Sequence, residues 1–138
     1  MEKVKRFGVS IENSLLEKFD THIESKNYKN RSEAIRDLIR EKLVEEEWSK
    51  KDEEVAGAII LVYDHHKREL VDKLIDVQHD YSDLIISSQH IHLDHDNCLE
   101  IIVVKGRIRK IQQLESKLKS TKGVKHSLLT KSTLGKNL

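Results

Sequence analysis

Apolar residues alternate with polar or small ones at the start of the chain: Phe7, Val9 and Ile11 against Arg6, Gly8 and Ser10, with Val4 ahead of them. A period of two predicts a short strand over residues 4–11. Leu15, Leu16, Phe19 and Ile23 then fall at helical spacing through about residue 26, where the polar run Asn27-Tyr28-Lys29-Asn30 interrupts them. Asn30 with Glu33 three positions on is a capping-box-like start, and Ala34, Ile35, Leu38, Ile39 and Leu43 continue it as a helical stripe. Residues 45–54 hold six acids and two lysines around Trp48 and Ser49, without a stripe, and read as a helix end followed by a linker over residues 49–54. Beyond it the order changes. Residues 58–62 predict a strand; Leu70, Val71, Leu74 and Ile75 a helix; residues 84–93 and 99–104 two strands. Ile108, Ile111, Leu114 and Leu118 predict a helix stopped near Gly123, and residues 124–130 a last strand. This is βαββαβ, the ferredoxin-like split unit. The expected fold is α+β with two domains, residues 1–48 and 55–138.

About 45 residues with one strand and two amphipathic helices cannot bury a sufficient core alone, and a lone strand has nothing to pair with. Two copies would solve both problems, their strands forming an antiparallel ribbon over four interlocked helices. This arrangement resembles the ribbon-helix-helix DNA-binding fold, and Arg31-Ser32-Glu33-Ala34-Ile35-Arg36-Asp37 looks like that family's second-helix signature. With Phe7, Val9 and Ile11 packed on the helices, Arg6, Gly8 and Ser10 face outward and are free to enter a major groove. Arg6 suits guanine edges and Ser10 a base or phosphate. Gly8 departs from the hydroxyl residue common there in relatives and offers only backbone. Lys29, Arg31 and the amides near the start of the second helix suit phosphates, contacts that position rather than specify.

Composition changes this picture in one respect. The 138 residues carry 25 basic and 24 acidic groups, but residues 51–104 hold 4 against 12 and residues 105–138 hold 10 against 1. The acidic middle also contains six of the eight histidines and the one cysteine, Cys98, which excludes an intrachain disulfide. No apolar run approaches a membrane span and the N-terminus lacks a signal-peptide pattern, so the protein is expected in the cytoplasm without membrane association.

His90 and His92, two apart on a predicted strand, direct both imidazoles to one face. Asp94-His95-Asp96-Asn97 is turn chemistry, and a hairpin there folds Cys98 back beside them. His79, at the end of the preceding helix, completes the spacing His-x10-His-x-His-x5-Cys. Any one of these histidines alone is more often a solvated surface residue; together with a free thiol they make a metal-site pattern. His22, His66 and His126 read as background, while His65 and His95 lie near enough for a minor role. Three imidazoles and one thiolate suit tetrahedral Zn(II) or planar Ni(II) or Cu(II), and spacing does not separate these.

The strand-helix-helix start, the βαββαβ second half and the set His79, His90, His92 and Cys98 together resemble the nickel-responsive transcriptional regulators of the NikR family, over nearly the whole chain to about residue 130. The resemblance implies an ACT-like regulatory domain and one planar Ni(II) per subunit, with His90, His92 and Cys98 from one subunit and the residue matching His79 from another. It also implies a homotetramer, two DNA-binding dimers joined through their metal domains. Glu100 matches a carboxylate that supports the ligands, though by pattern alone it is equally an exposed strand residue. Glu33 and Asp37, four apart and ordinarily a solvated acidic pair, match a second cation site with potassium as its ion, and Lys67 and Arg68 match contacts to the DNA backbone. The function so implied is a nickel-dependent repressor of nickel-uptake genes that binds double-stranded operator DNA. The alternative is a metal buffering or delivery protein whose N-terminal unit only dimerises. An enzyme is disfavoured, because four ligands fill the metal shell and no phosphate loop or nucleophile-base motif accompanies them.

Overall fold

A computed structural model describes residues 2–50 and 53–138. The chain forms two compact units, the first extending to Glu41 and the second beginning at Lys42. Helix α1 (Asn13–Ser25) belongs to the first unit, and α2 (Arg31–Trp48) begins in it.

The turn between α1 and α2 is set locally. Tyr28 N–H donates to the Ile23 carbonyl and Asn27 N–H to that of Glu24, both at 3.0 Å, with Asn27 in the left-handed region at φ 64°. This is the Schellman pattern, and asparagine tolerates its backbone conformation. Asn30 then caps α2, its Oδ1 accepting from Glu33 N–H at 2.9 Å, while Glu33 Oε2 accepts in return from Lys29 N–H at 3.2 Å. Among the described residues of this unit only Ile23 and Ala34 are buried. Leu15, Leu38 and Ile39 lie exposed.

The strand expected over residues 4–11 does not form: residues 2–12 have no regular structure, and Val4 is 89% and Phe7 70% exposed. The alternation is present, but a strand needs a neighbour for its backbone hydrogen bonds, and one chain supplies none.

The second unit follows the expected order. Strands β1 (Glu54–Asp64), β2 (Ile85–His92), β3 (Asn97–Arg107) and β4 (Val124–Lys131) form one sheet in the order β2-β3-β1-β4, every pair antiparallel. Helices α3 (Arg68–Asp80) and α4 (Ile108–Ser120) complete the βαββαβ unit. Val55, Ile59, Leu61 and Tyr63 of β1 and Cys98, Glu100, Ile102 and Val104 of β3 are buried in strict alternation. That face meets Leu70 and Leu74 of α3 and Ile108, Ile111, Leu114 and Leu118 of α4 in one core. Each fully buried leucine or isoleucine contributes about 1.5–3 kcal/mol relative to exposure. Gly123, at φ 103°, ends the segment after α4 where the pattern placed a stop.

Of the linker expected over residues 49–54, residues 51 and 52 lie outside the described residues, Ser49 and Lys50 form a turn after α2, and Glu54 already belongs to β1. Trp48 sits in the core of the second unit, its indole Nε1 donating to the Ser132 carbonyl at 2.6 Å. A Cβ added at Gly57 would stand 2.8 Å from the Thr130 carbonyl and 3.5 Å from the Trp48 ring, so backbone would have to move. Gly57→Ala should therefore destabilise the protein by about 1–3 kcal/mol. A thermal midpoint equal to that of the wild type would refute the close approach.

Candidate metal centre

The β2–β3 hairpin sets Cys98 beside His90 and places His92 across the ladder from Cys98. Its loop is tied by Asp94, whose Oδ1 accepts from the backbone N–H of Asp96 at 2.9 Å and of Asn97 at 2.7 Å. These bonds, those from Asn97 foremost, hold the Asp94 carboxyl below the usual carboxylate range. The register places His92 opposite Cys98 and His90 opposite Glu100. Directly opposed residues of an antiparallel pair share a face, so both imidazoles lie on the core side of the sheet, at its edge.

Cys98 is 1% exposed, and its Sγ lies 3.9 Å from His90 Nδ1. Behind them a polar network reaches into the core. Tyr63, opposite Cys98 across the β1–β3 ladder, donates its hydroxyl proton to Glu100 Oε1 at 2.7 Å, and that hydroxyl is 3.3 Å from His90 Nδ1. Burial first, and the Glu100 carboxylate second, hold the Tyr63 phenol above its ordinary range, so it stays a donor. Gln78 Nε2 donates to Glu100 Oε2 at 3.0 Å, and His90 Nε2 lies 3.4 Å from the same oxygen. Glu100 is 1% exposed, which removes the reading of it as an ordinary exposed strand residue. A buried carboxylate is tolerated only with such partners. The donor chemistry fits a borderline-soft cation: a thiol beside the imidazole of His90, that ring being supported by a carboxylate and a phenol, with His92 across the ladder.

His79 is exposed in the last turn of α3. Among the described residues, the group of three or more potential ligands whose atoms all lie within 4.8 Å of one another is His66, His95 and Asp96; neither the predicted four nor the three of the hairpin, His90, His92 and Cys98, meet that spacing in one chain. His65, expected to lie near, stacks on His92 with centroids 4.5 Å apart and planes 10° apart, and its Nε2 is buried without a hydrogen-bond partner. Tyr63 and Gln78 were not anticipated. Tyr63 does continue the inward alternation of Ile59 and Leu61, which is the signal that could have found it.

The residues expected at DNA are placed as follows. Arg6, Gly8 and Ser10 are exposed in the irregular arm, and a Cβ added at Gly8 would meet nothing within 4 Å. Lys29 is exposed. Arg31 grips Asp20 through two hydrogen bonds of 2.9 and 2.8 Å, so a phosphate would have to compete for it. Lys67 precedes α3 without a side-chain cap bond and Arg68 opens the helix, both exposed. Glu33 and Asp37 are engaged separately, Glu33 by the cap of α2 and Asp37 Oδ2 by the Tyr28 hydroxyl at 2.7 Å. No helix among the described residues is long and apolar enough to cross a membrane.

Two helices behind an irregular arm, joined to a ferredoxin-like unit whose sheet edge carries thiol and imidazole donors, define a class of two-domain metal-binding proteins. Residues 5–46 match the ribbon-helix-helix protein, copG family, and residues 56–132 match the NikR C terminal nickel binding domain. The chain belongs to the NikR family of nickel-responsive regulators. A Syntrophus aciditrophicus protein named "putative nickel-responsive regulator" is 57% identical over 135 residues, covering 98% of either chain. Proteins of the same name from Chlorobium phaeobacteroides, 57% identical over 96% of this chain and 98% of that one, and Thermococcus onnurineus, 52% identical over 99% of each, are also similar. An uncharacterized protein of Thermotoga maritima shares the fold, with a TM-score of 0.53 at 16% identity over 57% of this chain and 98% of its own.

Proposed function

We propose that this chain is a nickel-dependent repressor of nickel-uptake genes, reading operator DNA with its first unit and sensing nickel with its second. The observation that carries this is the juxtaposition of Cys98 and His90 over the buried Tyr63–Glu100–Gln78 network. Ni(II) would be held by His90, His92 and Cys98 of one subunit and His79 of the partner subunit, one ion per subunit, and would supply a link between second domains. Glu100 fixes the ligands from behind. The exposure of His79 in the last turn of α3 suits a ligand given to a neighbour.

The exposed apolar residues of the arm and of α1 and α2 suit pairing of two chains, with Phe7, Val9 and Ile11 turned inward and Arg6, Gly8 and Ser10 toward DNA. Two such dimers joined through the second domains make a homotetramer. Lys29, Arg31, Lys67 and Arg68 would meet phosphates, and Glu33 with Asp37 would take a potassium ion once released from their present partners. The arrangement competent for DNA must bind nickel better than the alternatives do, so operator DNA tightens nickel binding by the same factor that nickel tightens DNA binding.

The test is DNA binding with and without Ni(II) on sequences upstream of nickel-uptake genes. Nickel binding without operator preference would instead indicate a buffering or delivery protein. Arg6→Ala should lose about 1–3 kcal/mol of discrimination at one base position, while Lys29→Ala should weaken all sequences alike and flatten the salt dependence. Equal operator affinity of Arg6→Ala and wild type at fixed salt would sink the ribbon assignment.

A further inference from the structure

Trp48 ends the one helix that belongs to both units, and neither the metal centre nor the residues expected at DNA use it. Helix α2 opens at Arg31 in the first unit and closes at Trp48 in the second, which begins at Lys42. Its 18 residues include no glycine or proline and run as uninterrupted α-helix, about 27 Å long. Sharp kinks arise at such residues or at irregular turns, so a helix without them moves as one rod. Its start lies among the residues expected at phosphates, with Asn30 capping it between Lys29 and Arg31. Its end is built into the core of the second unit: Val44 and Trp48, four apart and so on one face, pack there, and Trp48 is 7% exposed.

Three contacts fix the indole. Nε1 donates to the Ser132 carbonyl at 2.6 Å, and Lys131 Nζ lies 5.7 Å from the ring centroid, within cation–π range. The third is Gly57, where an added Cβ would stand 3.5 Å from the ring, so the indole lies directly against the β1 backbone. Ser132 is itself tied to that strand, its N–H donating to the Ala56 carbonyl at 3.0 Å. Gly57, Ile59, Leu61 and Tyr63 share the buried face of β1 at period two. One strand therefore carries the seat of the indole near its start and, about 20 Å further on, the Tyr63 hydroxyl that donates to Glu100 in the metal centre.

We propose that Trp48 is the positioning residue that couples metal sensing to DNA binding: it passes the state of the second unit to α2, and so to the phosphate-contacting residues at the start of that helix, while touching neither metal nor DNA. This role rests on the nickel-dependent DNA binding inferred for the chain. A shift of the β2–β3 hairpin reaches β1 through the Tyr63–Glu100 bond and the β1–β3 ladder, and a shift of β1 reaches the indole through Gly57 and Ser132. Tryptophan suits the task, being large and rigid, with two side-chain torsions, an apolar ring and one polar handle. A helix end docked by long flexible side chains would absorb the shift instead of carrying it.

The experiment measures operator affinity of the full-length protein with and without Ni(II) at fixed salt, alongside the charge-transfer absorption and thermal unfolding without metal. In the wild type nickel should tighten operator binding, by about 5–150-fold if the coupling is of ordinary size. Trp48→Ala should keep the band and the nickel-free affinity while the tightening falls to about threefold or less. Because coupling is reciprocal, the factor by which operator DNA tightens nickel binding should fall equally. Trp48→Phe, which keeps an aromatic ring over Gly57 but has no N–H for Ser132, should fall between the two, and it decides the matter if Trp48→Ala does not fold. Leu118→Ala, which truncates the same core from α4, should lower the thermal midpoint yet keep the wild-type tightening. A wild type whose operator affinity ignores nickel overturns the nickel-dependent reading and this role with it. Where the wild type responds, the role alone is overturned by undiminished tightening in folded Trp48→Ala or Trp48→Phe, by equal losses with and without nickel, by loss of the band, or by loss of the tightening in Leu118→Ala as well.

Discussion

Cys98→Ala should abolish the sulfur-to-nickel charge-transfer absorption and lower nickel affinity by at least about 100-fold, the upper end of what even a supporting partner of a metal ligand costs. The argument is one of position. Cys98, second in β3, lies directly opposite His92 with Sγ 3.9 Å from His90 Nδ1, so removing the sulfur takes the one soft donor from the group and leaves imidazoles that water can replace. The fold should survive, because the loss is a single sulfur atom from a sheet whose core is carried by Ile59, Leu61, Ile102, Ile111 and Leu114; the cost should be about 1 kcal/mol. Separating the two effects needs both measurements, absorption of the nickel-loaded protein and thermal unfolding without metal. An unchanged band in a folded Cys98→Ala protein would mean that another atom makes the observed bond, and the site as drawn would be wrong.

What the sequence could reveal follows the reach of each interaction. The βαββαβ order was legible because the two central strands β1 and β3 keep a buried face at period two and α3 and α4 each a stripe, patterns written in neighbouring residues. Asn30 and Glu33 announced their cap for the same reason, and the structure forms it. Trp48 was not legible as an anchor: it lies in an acidic stretch and its hydrogen-bond partner, Ser132, is 84 residues away. The role of Glu100 was ambiguous, since one carboxylate on an apolar strand gives no sign of its surroundings. Only the register of two ladders puts Tyr63 and His90 around it, and α3, packed in the same core, adds Gln78. The pairing of His66 with His95 is hidden similarly, because it depends on two loops meeting across the sheet end. The first strand shows the opposite case. Its alternation is plain in the sequence, yet the ladder that would make it a strand requires atoms from a second chain.

The same dependence on a second chain gives His79 the sharpest test. Within one subunit His79 is exposed in the last turn of α3, and in the proposed site the place is filled by His79 of the partner subunit. Symmetry separates this from ligation within a chain. A His79→Ala subunit is paired with a Cys98→Ala subunit at the interface between second domains, each homo-oligomer first being shown to lack the charge-transfer band. With ligation across the interface, one site of the hybrid combines His90, His92 and Cys98 of the first subunit with the intact histidine of the other, and is whole. The second site collects both defects. The hybrid should therefore recover half of the wild-type band intensity, from none in either parent. Ligation within each chain leaves every site damaged and recovers nothing, so absence of the band in verified hybrids would exclude the shared site, and with it the idea that nickel joins two DNA-binding dimers through their second domains.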